Sequence, residues 1–192
     1  MQKIVDFILE LDKLKGITRK VRPLGLDRFE NSAEHSWQLA MLAGSLMPFA
    51  ESSMDSNRVI RMLLVHDIGE IDAGDRIAYA EEGWEEHRAA ERAGITRIFG
   101  MLPENQGTEF LGLWQEFQDD ETPEAHFAHA VDRAMPVLLN LSNGGQTWQE
   151  NGISYERVVR RIAPPIQAGC PALWSYLQPR LEEAQRKGFF GA

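Results

Sequence analysis

The sequence predicts an all-α fold, and three observations lead to this prediction. Apolar residues recur at the spacing of an α-helix along most of the chain. No stretch shows the alternation of apolar and polar residues that is typical of a half-buried strand. Residues that favour helix N-termini precede several of the apolar stretches, and glycine or proline follows them. We therefore expect one domain, residues 1–192, built from about seven or eight helices.

The first two predicted helices lie on either side of a basic loop. The first covers residues 2–14, and Gly16 ends it because glycine is favoured just beyond a helix C-terminus. The second begins at a capping box, in which Asn31 is the N-cap and Glu34 is the third helical residue. This helix runs to about Met47, where a proline follows.

The third predicted helix has Asp55 or Ser56 as its N-cap and continues to His66. Residues 76–83 are expected to form a loop. Three further helices are predicted over residues 84–102, 103–117 and 123–143, and Pro136 should bend the third of them. Another helix is predicted after Ser154, where Pro164 and Pro165 should interrupt it. The final predicted helix begins at Pro171.

Composition limits the classes of function. The chain carries 20 Lys and Arg against 29 Asp and Glu, a formal charge of −9. An acidic chain is a poor partner for a nucleic-acid polymer, whereas a small phosphorylated substrate needs only local cations. Cys170 is the only cysteine, so neither an internal disulfide nor a thiolate metal cluster can form. We expect a cytoplasmic protein, because acidic residues interrupt any signal-peptide core and no apolar run is long enough to span a membrane.

The most informative stretch is residues 63–75, where an apolar helix ends in the pair His66-Asp67. His66 continues the apolar face of its helix and should point inward. Glu70 lies one turn further on, so helical geometry brings it to the same region. An imidazole nitrogen beside a carboxylate oxygen is suited to a divalent metal ion. A histidine hydrogen-bonded at a helix C-terminus is the structural alternative.

Two further polar residues fall on inward faces. His35 begins the apolar stripe of the second helix, and Asp132 lies next to the buried stripe of the 123–143 helix. A buried histidine is often only hydrogen-bonded. A buried carboxylate, in contrast, needs a cation, which either Arg133 or a metal ion supplies.

The other histidines and the basic loop are less specific signals. His87 has charged neighbours and is expected at the surface, while His126 and His129 are expected to support the site or lie at the surface. Five cations stand close together in the loop before the second helix, where an anion-binding role and a solvated loop fit equally well. These cations are Lys15, Arg19, Lys20, Arg22 and Arg28.

The motifs together resemble those of the HD superfamily of metal-dependent phosphohydrolases, and within it the bacterial 5′-deoxynucleotidase branch. The resemblance covers nearly the whole chain. The matching motifs are Glu34-His35-Ser36, His66-Asp67-Ile68-Gly69-Glu70, Gly74-Asp75 and Val131-Asp132-Arg133.

The resemblance implies one divalent metal ion, of Mn, Co, Ni, Fe or Zn with Mg as a further candidate. It implies the ligands His35, His66, Asp67 and Asp132. It also implies that Glu70 activates the attacking water and that Asp75 acts near the leaving oxygen. The substrate phosphate would be held by Arg19, Lys20 or Arg22.

One position departs from the family pattern. The 5′-deoxynucleotidases carry an Arg-Trp pair before the first motif, whereas this chain has Arg19-Lys20 and no aromatic residue there. The departure concerns the preference for deoxynucleotides and leaves the metal ligands intact. Relatives often form dimers, so a homodimer is expected, with the apolar last helix and its tryptophan as the interface.

The function expected from these observations is release of phosphate from nucleoside or deoxynucleoside 5′-monophosphates or a similar small phosphomonoester. Two alternatives remain. One is a dinuclear HD enzyme, either a cyclic-dinucleotide hydrolase or an oxygenase, with extra ligands from His87, His126 or His129. The other is a non-catalytic interaction module that metal binding stabilises.

Overall fold

The computed structural model describes residues 1–80 and 82–191. Within these ranges the chain forms α-helices and two short 3₁₀ segments, and its one β-bridge joins Thr18 to Asn31. The all-α prediction is therefore confirmed, and no helix in these ranges is long and apolar enough to cross a bilayer. The helices are α1 (Gln2–Leu11), α2 (Ser32–Leu46), α3 (Ser56–Val65), α4 (Glu70–Ala73), α5 (Trp84–Phe99), α6 (Glu104–Asp119), α7 (Pro123–Ser142), α8 (Gln146–Glu150), α9 (Tyr155–Gly169) and α10 (Pro171–Arg186).

Side-chain caps fix the starts of four long helices. Asn31 and Glu34 form both hydrogen bonds of the predicted capping box on α2. Asp55 caps α3 by accepting from two backbone N–H groups. Thr122 and Ser154 cap α7 and α9 in the same way. Because each cap satisfies N–H groups that lack a partner within the helix, these boundaries are readable from sequence.

Two details of the prediction were wrong. The first helix ends at Leu11, and residues 12–16 continue as a 3₁₀ turn. In addition, α9 passes through Pro164 and Pro165 without a break. The carbonyl groups left without a partner belong to Arg160 and Arg161, which are exposed, so water can replace the lost hydrogen bonds. Burial of the apolar face of α9 against α7 outweighs the cost.

The core consists of two hydrophobic clusters that meet at the end of α3. The larger cluster surrounds α7, with α2, α9 and α10 packed against it. The smaller one joins α1 to α5 and α6. Leu63 belongs to the larger cluster, whereas Val65 and Ile68 belong to the smaller one. The His66-Asp67 pair therefore lies at the junction of the two clusters, held by packing on both sides.

The last helix does not present the apolar surface that the sequence suggested for a dimer interface. Trp174, Leu177 and Leu181 are buried within the chain's own core. Among the large apolar side chains left exposed are Trp37 of α2, at 61%, and Met41 of the same helix, at 58%. These side chains of α10 pack against α7 and α9 and are not free to form the predicted dimer contact, which stays a prediction.

Candidate metal centre

Three predicted ligands converge from three helices. His35 comes from the first turns of α2, His66 follows the end of α3, and Asp132 lies in the middle of α7. All three are buried, and their ligand atoms lie within 4.8 Å of one another. Asp132 Oδ1 is 3.2 Å from His35 Nε2 and 3.9 Å from His66 Nε2. Two nitrogens and an oxygen thus face one point.

The fourth predicted ligand, Asp67, lies beside this group. Its Oδ1 is 3.0 Å from His66 Nε2, while its Oδ2 accepts a hydrogen bond of 2.8 Å from Arg19. Asp67 is not one of the three residues whose ligand atoms all lie within 4.8 Å. In the structure, therefore, Asp67 contacts one member of the group, His66, with one carboxylate oxygen and the Arg19 guanidinium with the other.

The hydrogen bonds of the two imidazoles fit a divalent cation. His66 Nδ1 donates to the carbonyl oxygen of Leu63 at 2.8 Å, which leaves the lone pair on Nε2. That Nε2 atom is buried and has no hydrogen-bond partner among the described residues. His35 Nε2 faces Asp132, while its Nδ1 lies 3.4 Å from Glu30 Oε1 without forming a hydrogen bond among the described residues, so the second-nitrogen support is seen at His66. Support of a ligand histidine through its other nitrogen is the usual arrangement at metal sites.

The carboxylates of the group are anionic at neutral pH. Burial acts to raise the pKa of Asp132, but Arg133 and the hydrogen bond from His35 hold that pKa well below its usual range. Burial also opposes ionisation of Asp67, yet His66 and Arg19 lower its pKa to about 2. Two buried anionic groups next to an unpaired imidazole nitrogen are a donor set of the kind that holds a divalent ion.

Glu70 and Asp75 lie near the same Arg19 nitrogen that contacts Asp67. Glu70 is buried, and Ser32 Oγ donates a hydrogen bond to its Oε2. Arg19 Nη1 is 3.6 Å from Glu70 Oε1 and 3.5 Å from Asp75 Oδ1. Burial, reinforced by the charge of Asp67, raises the pKa of Glu70 well above its usual range. Burial is also the largest cause of the raised pKa of Asp75.

Two glycines shape the segment that carries these acids. Gly74 ends α4 with a φ of +76°, which side chains other than glycine rarely adopt, and the turn directs Asp75 back toward Arg19. Gly69 permits a close approach of α5, since a Cβ atom there would lie 2.8 Å from the carbonyl oxygen of Glu91. The segment 69–75 is thus fixed against α5.

The basic loop divides into residues that face the site and residues that do not. Arg19 and Lys20 line the large cavity next to the ligand group. Arg22 lies outside it, 3.3 Å from Glu150 and above the ring of Phe29. The loop cations Lys15 and Arg28 form ion pairs with Asp12 and Glu34.

The cavity has a volume of about 660 Å³ and contains residues that the sequence did not single out. Its lining includes His87, Glu91, Trp84 and several arginines from α5, α7 and α9. The surface position predicted for His87 was wrong, since its side chain is only 11% exposed and its Nε2 lies 3.4 Å from Glu91 Oε1. His87 and Glu91 are four residues apart in α5, and this spacing was the signal in the sequence that could have predicted their contact. Glu30 behind His35 had no such signal, because it precedes the helix.

The extra histidines do not form a second ligand group within the described residues. His126 and His129 direct Nε2 to the carbonyl oxygens of Asp120 and Phe117, at 2.8 and 2.7 Å. His87 pairs with Glu91. The structure thus gives the dinuclear alternative no preformed second site in these ranges.

Comparisons with known proteins agree with this geometry. A family model described as HD domain matches residues 11–174. The 5′-deoxynucleotidase HDDC2 of Xenopus laevis is 29% identical over 70% of this chain and 68% of its own length. A 5′-deoxynucleotidase of Enterobacter sp. strain 638 is 30% identical over 72% of this chain and 74% of its own length.

A solved structure resembles the whole fold. The crystal structure of a predicted metal-dependent phosphohydrolase from Magnetospirillum magnetotacticum MS-1 superposes with a TM-score of 0.94 at 39% identity. The match covers 100% of this chain and 95% of that one. An HD-domain phosphohydrolase from Listeria innocua, 17% identical with a TM-score of 0.63 over 92% of this chain and 99% of its own, shares the fold.

Fold and site therefore define a helical protein with a buried His/His/Asp group that is suited to a metal ion. The family match extends over most of the chain, from α1 to α10. The chain belongs to the HD domain family.

Proposed function

We propose that this protein releases phosphate from nucleoside or deoxynucleoside 5′-monophosphates, or from a similar small phosphomonoester, with one divalent metal ion. The convergence of His35, His66 and Asp132 next to an open cavity is the observation that carries this proposal. The relatives named 5′-deoxynucleotidase support the choice of substrate class.

The proposed ligands are His35, His66, Asp67 and Asp132. Asp67 completes the set because its Oδ1 already lies 3.0 Å from His66 Nε2. Two nitrogens and two carboxylate oxygens suit Mn, Co, Ni, Fe or Zn, with Mg as a further candidate. When bound, such an ion supplies Lewis-acid stabilisation of a phosphoryl oxygen and lowers the pKa of water.

The proposed catalytic residues are Glu70 and Asp75. Glu70 orients the attacking water and accepts its proton, and the hydrogen bond from Ser32 holds its carboxylate in place. Asp75 lies 3.5 Å from the same guanidinium nitrogen and has a raised pKa, so it suits the donation of a proton to the leaving oxygen.

Arg19 and Lys20 are the proposed phosphate-binding residues of the basic loop. Arg19 bridges Asp67, Glu70 and Asp75, so its position is already defined before a substrate enters. Preorganised donors of this kind favour a phosphoryl group whose charge is spread over several oxygens. Arg22 is left out of this assignment, because it lies away from the cavity.

Three further features belong to the same proposal. Residues 1–192 act as one domain, since the family match spans residues 11–174. The protein works in the cytoplasm, where a buried free thiol such as Cys170 stays reduced. It forms a homodimer, for which the exposed Trp37 and Met41 offer an apolar surface.

The test is phosphate release from a panel of monophosphates by protein loaded in turn with Mn²⁺, Co²⁺, Ni²⁺, Zn²⁺ or Mg²⁺. We expect turnover of nucleoside 5′-monophosphates, with about one metal ion per chain. A metal content near two per chain would favour the dinuclear alternative. A folded, metal-loaded protein that hydrolyses nothing in the panel would favour the non-catalytic module.

A further inference from the structure

A second charged region lines the cavity, away from the acidic side. Arg133 of α7, Arg161 of α9 and Arg88 of α5 all face the same space. We call these three residues the arginine arc. Each comes from a different helix, so their proximity is a property of the fold and not of one basic stretch.

Two members of the arginine arc, Arg88 and Arg161, lack in the described part of the chain the carboxylate partners that several other arginines of this protein have. Arg58, Arg97 and Arg186 each pair with a carboxylate. Within the described residues, no carboxylate lies within ion-pair distance of Arg88 or Arg161, and Arg133 contacts only the neighbouring Asp132, at 3.5 Å. Two arginines from different helices, Arg88 and Arg161, thus line this cavity without a carboxylate within ion-pair distance among the described residues, although the chain carries more acids than bases.

The members of the arc interact with one another. Partial burial of its guanidinium is the largest cause of the lowered pKa of Arg161; repulsion from Arg133 and Arg88 adds to it, whereas attraction to Asp132 opposes it. The ring of Trp84 lies 5.8 Å from the Arg161 guanidinium and restricts its position. Arg133, next to the ligand Asp132 in sequence, connects the arc to the metal centre. Repulsion among these like charges raises the free energy of the folded protein, and a bound anion would lower it.

We propose that the arginine arc binds a second phosphate group of the substrate, so that the preferred substrate is a nucleotide with two phosphates, one of them cleaved at the metal centre. This inference rests on the proposed function. Arginine suits the role, since its planar guanidinium forms paired hydrogen bonds with phosphate oxygens. The cavity volume of about 660 Å³ leaves room beyond a single phosphoryl group.

The second phosphate has two chemical sources, which an assay can separate. Deoxyadenosine 3′,5′-bisphosphate carries it on the sugar, and deoxyadenosine 5′-diphosphate carries it in the phosphate chain. Deoxyadenosine 5′-monophosphate is the reference. The measurement is the ratio of kcat/KM for each doubly phosphorylated compound to kcat/KM for the reference, on metal-loaded protein.

We expect a ratio of about ten or more for at least one of the two compounds. Arg161→Gln should reduce that ratio about tenfold, because a charge-assisted contact made only by the second phosphate is lost. Arg161 is exposed, so the variant should fold, and Arg133→Lys provides a second test. Arg180→Gln, on the exposed face of α10 outside the cavity, is the matched control and should leave the ratio unchanged.

The outcomes separate this inference from the proposed function. Monophosphate hydrolysis with a ratio near one, or a ratio that Arg161→Gln does not change, overturns the inference and leaves the proposed function standing. If no compound is hydrolysed, the proposed function fails, and calorimetric binding of the bisphosphate decides the inference. Binding about tenfold weaker in Arg161→Gln than in Arg180→Gln supports it, and equal binding overturns it.

Discussion

Ser32 Oγ donates a hydrogen bond to Glu70 Oε2, and this contact joins the start of α2 to the start of α4. Both side chains are buried. Because Ser32 lies one turn before His35, the helix that carries a proposed metal ligand also orients the proposed base. The proposed metal ligand His35 and the residue that positions the proposed base Glu70 therefore both belong to the first turn of α2.

Replacing this hydroxyl tests whether orientation of Glu70 contributes to turnover. Ser32→Ala should lower kcat about tenfold while the metal content stays the same, since only the carboxylate loses its donor. The control is Ser45→Ala in the same helix, whose hydroxyl bonds an exposed backbone carbonyl. An unchanged kcat for Ser32→Ala would show that Glu70 is positioned by its packing alone.

Removal of the carboxylate itself tests the proposed base. Glu70→Gln should retain the metal and reduce turnover by about 10²-fold or more, as for loss of a general base. Asp67→Ala should lose both metal and activity, because it removes a proposed ligand. The measurements are metal content and phosphate release. Equal rates for Glu70→Gln and the unaltered protein would exclude this site as the source of activity.

Metal removal should destabilise the protein. The carboxylates of Asp67 and Asp132 both lie within 4 Å of His66 Nε2, and a bound cation would compensate their charge. Chelation should therefore lower the midpoint of thermal unfolding, and added metal should restore it in a concentration-dependent way. If the midpoint stays constant after metal loss has been verified, the site is not coupled to folding.

Glu91 should make the metal-free protein less stable as pH rises. Burial, assisted by the charge of Asp67, raises its pKa from 4.5 to about 7. The folded state therefore retains a proton that the unfolded chain has lost, so the free energy of unfolding falls between about pH 4.5 and 7. Glu91→Gln should remove about 1–2 kcal/mol of this fall, a figure reduced for solvent screening.

The matched control for this pH dependence is Glu86→Gln, an exposed position on the same helix. Denaturant unfolding at pH 5 and pH 8, with chelator present, measures both variants. If Glu91→Gln keeps the full pH dependence of the unaltered protein, another group is responsible for it.

A methyl group at Gly69 should separate α4 from α5. The new Cβ atom would meet the carbonyl oxygen of Glu91 at 2.8 Å, so Gly69→Ala should cost about 1–3 kcal/mol of stability. Gly112→Ala is the opposite case, because nothing lies within 4 Å of that Cβ position in α6. It should stabilise the protein by about 0.5–1 kcal/mol. Equal effects at both positions would contradict close packing at Gly69.

Sequence reasoning succeeded where local rules decide the outcome. Side-chain caps at Asn31 and Asp55 marked helix starts, since they act within one turn. Helical spacing placed His35 and Asp132 on inward faces, and both are buried. Convergence of these residues from separate helices did not follow from spacing alone, and the family resemblance supplied it.

Features that depend on how helices approach each other had no comparable signal in the sequence. Arg22 and Arg19 belong to one basic loop, yet only Arg19 lines the cavity, because the pairing of this loop with residues 30 and 31 sets the direction of each side chain. The arginine arc is another case, since Arg133 and Arg161 come from different helices. The predicted break at Pro164 and Pro165 was wrong, because packing of α9 outweighs the tendency of proline to interrupt a helix.

The sequence separation of the proposed ligands has a consequence for when the proposed metal site could form during synthesis. His35 and Asp132 lie 97 positions apart in the chain but contact each other in the fold. A nascent chain that ends before α7 contains both histidines and lacks Asp132, so its metal affinity is that of an incomplete set. Full affinity at the proposed site would therefore wait until the ribosome has released α7. A product truncated before α7 would then bind the ion more weakly than the full chain does.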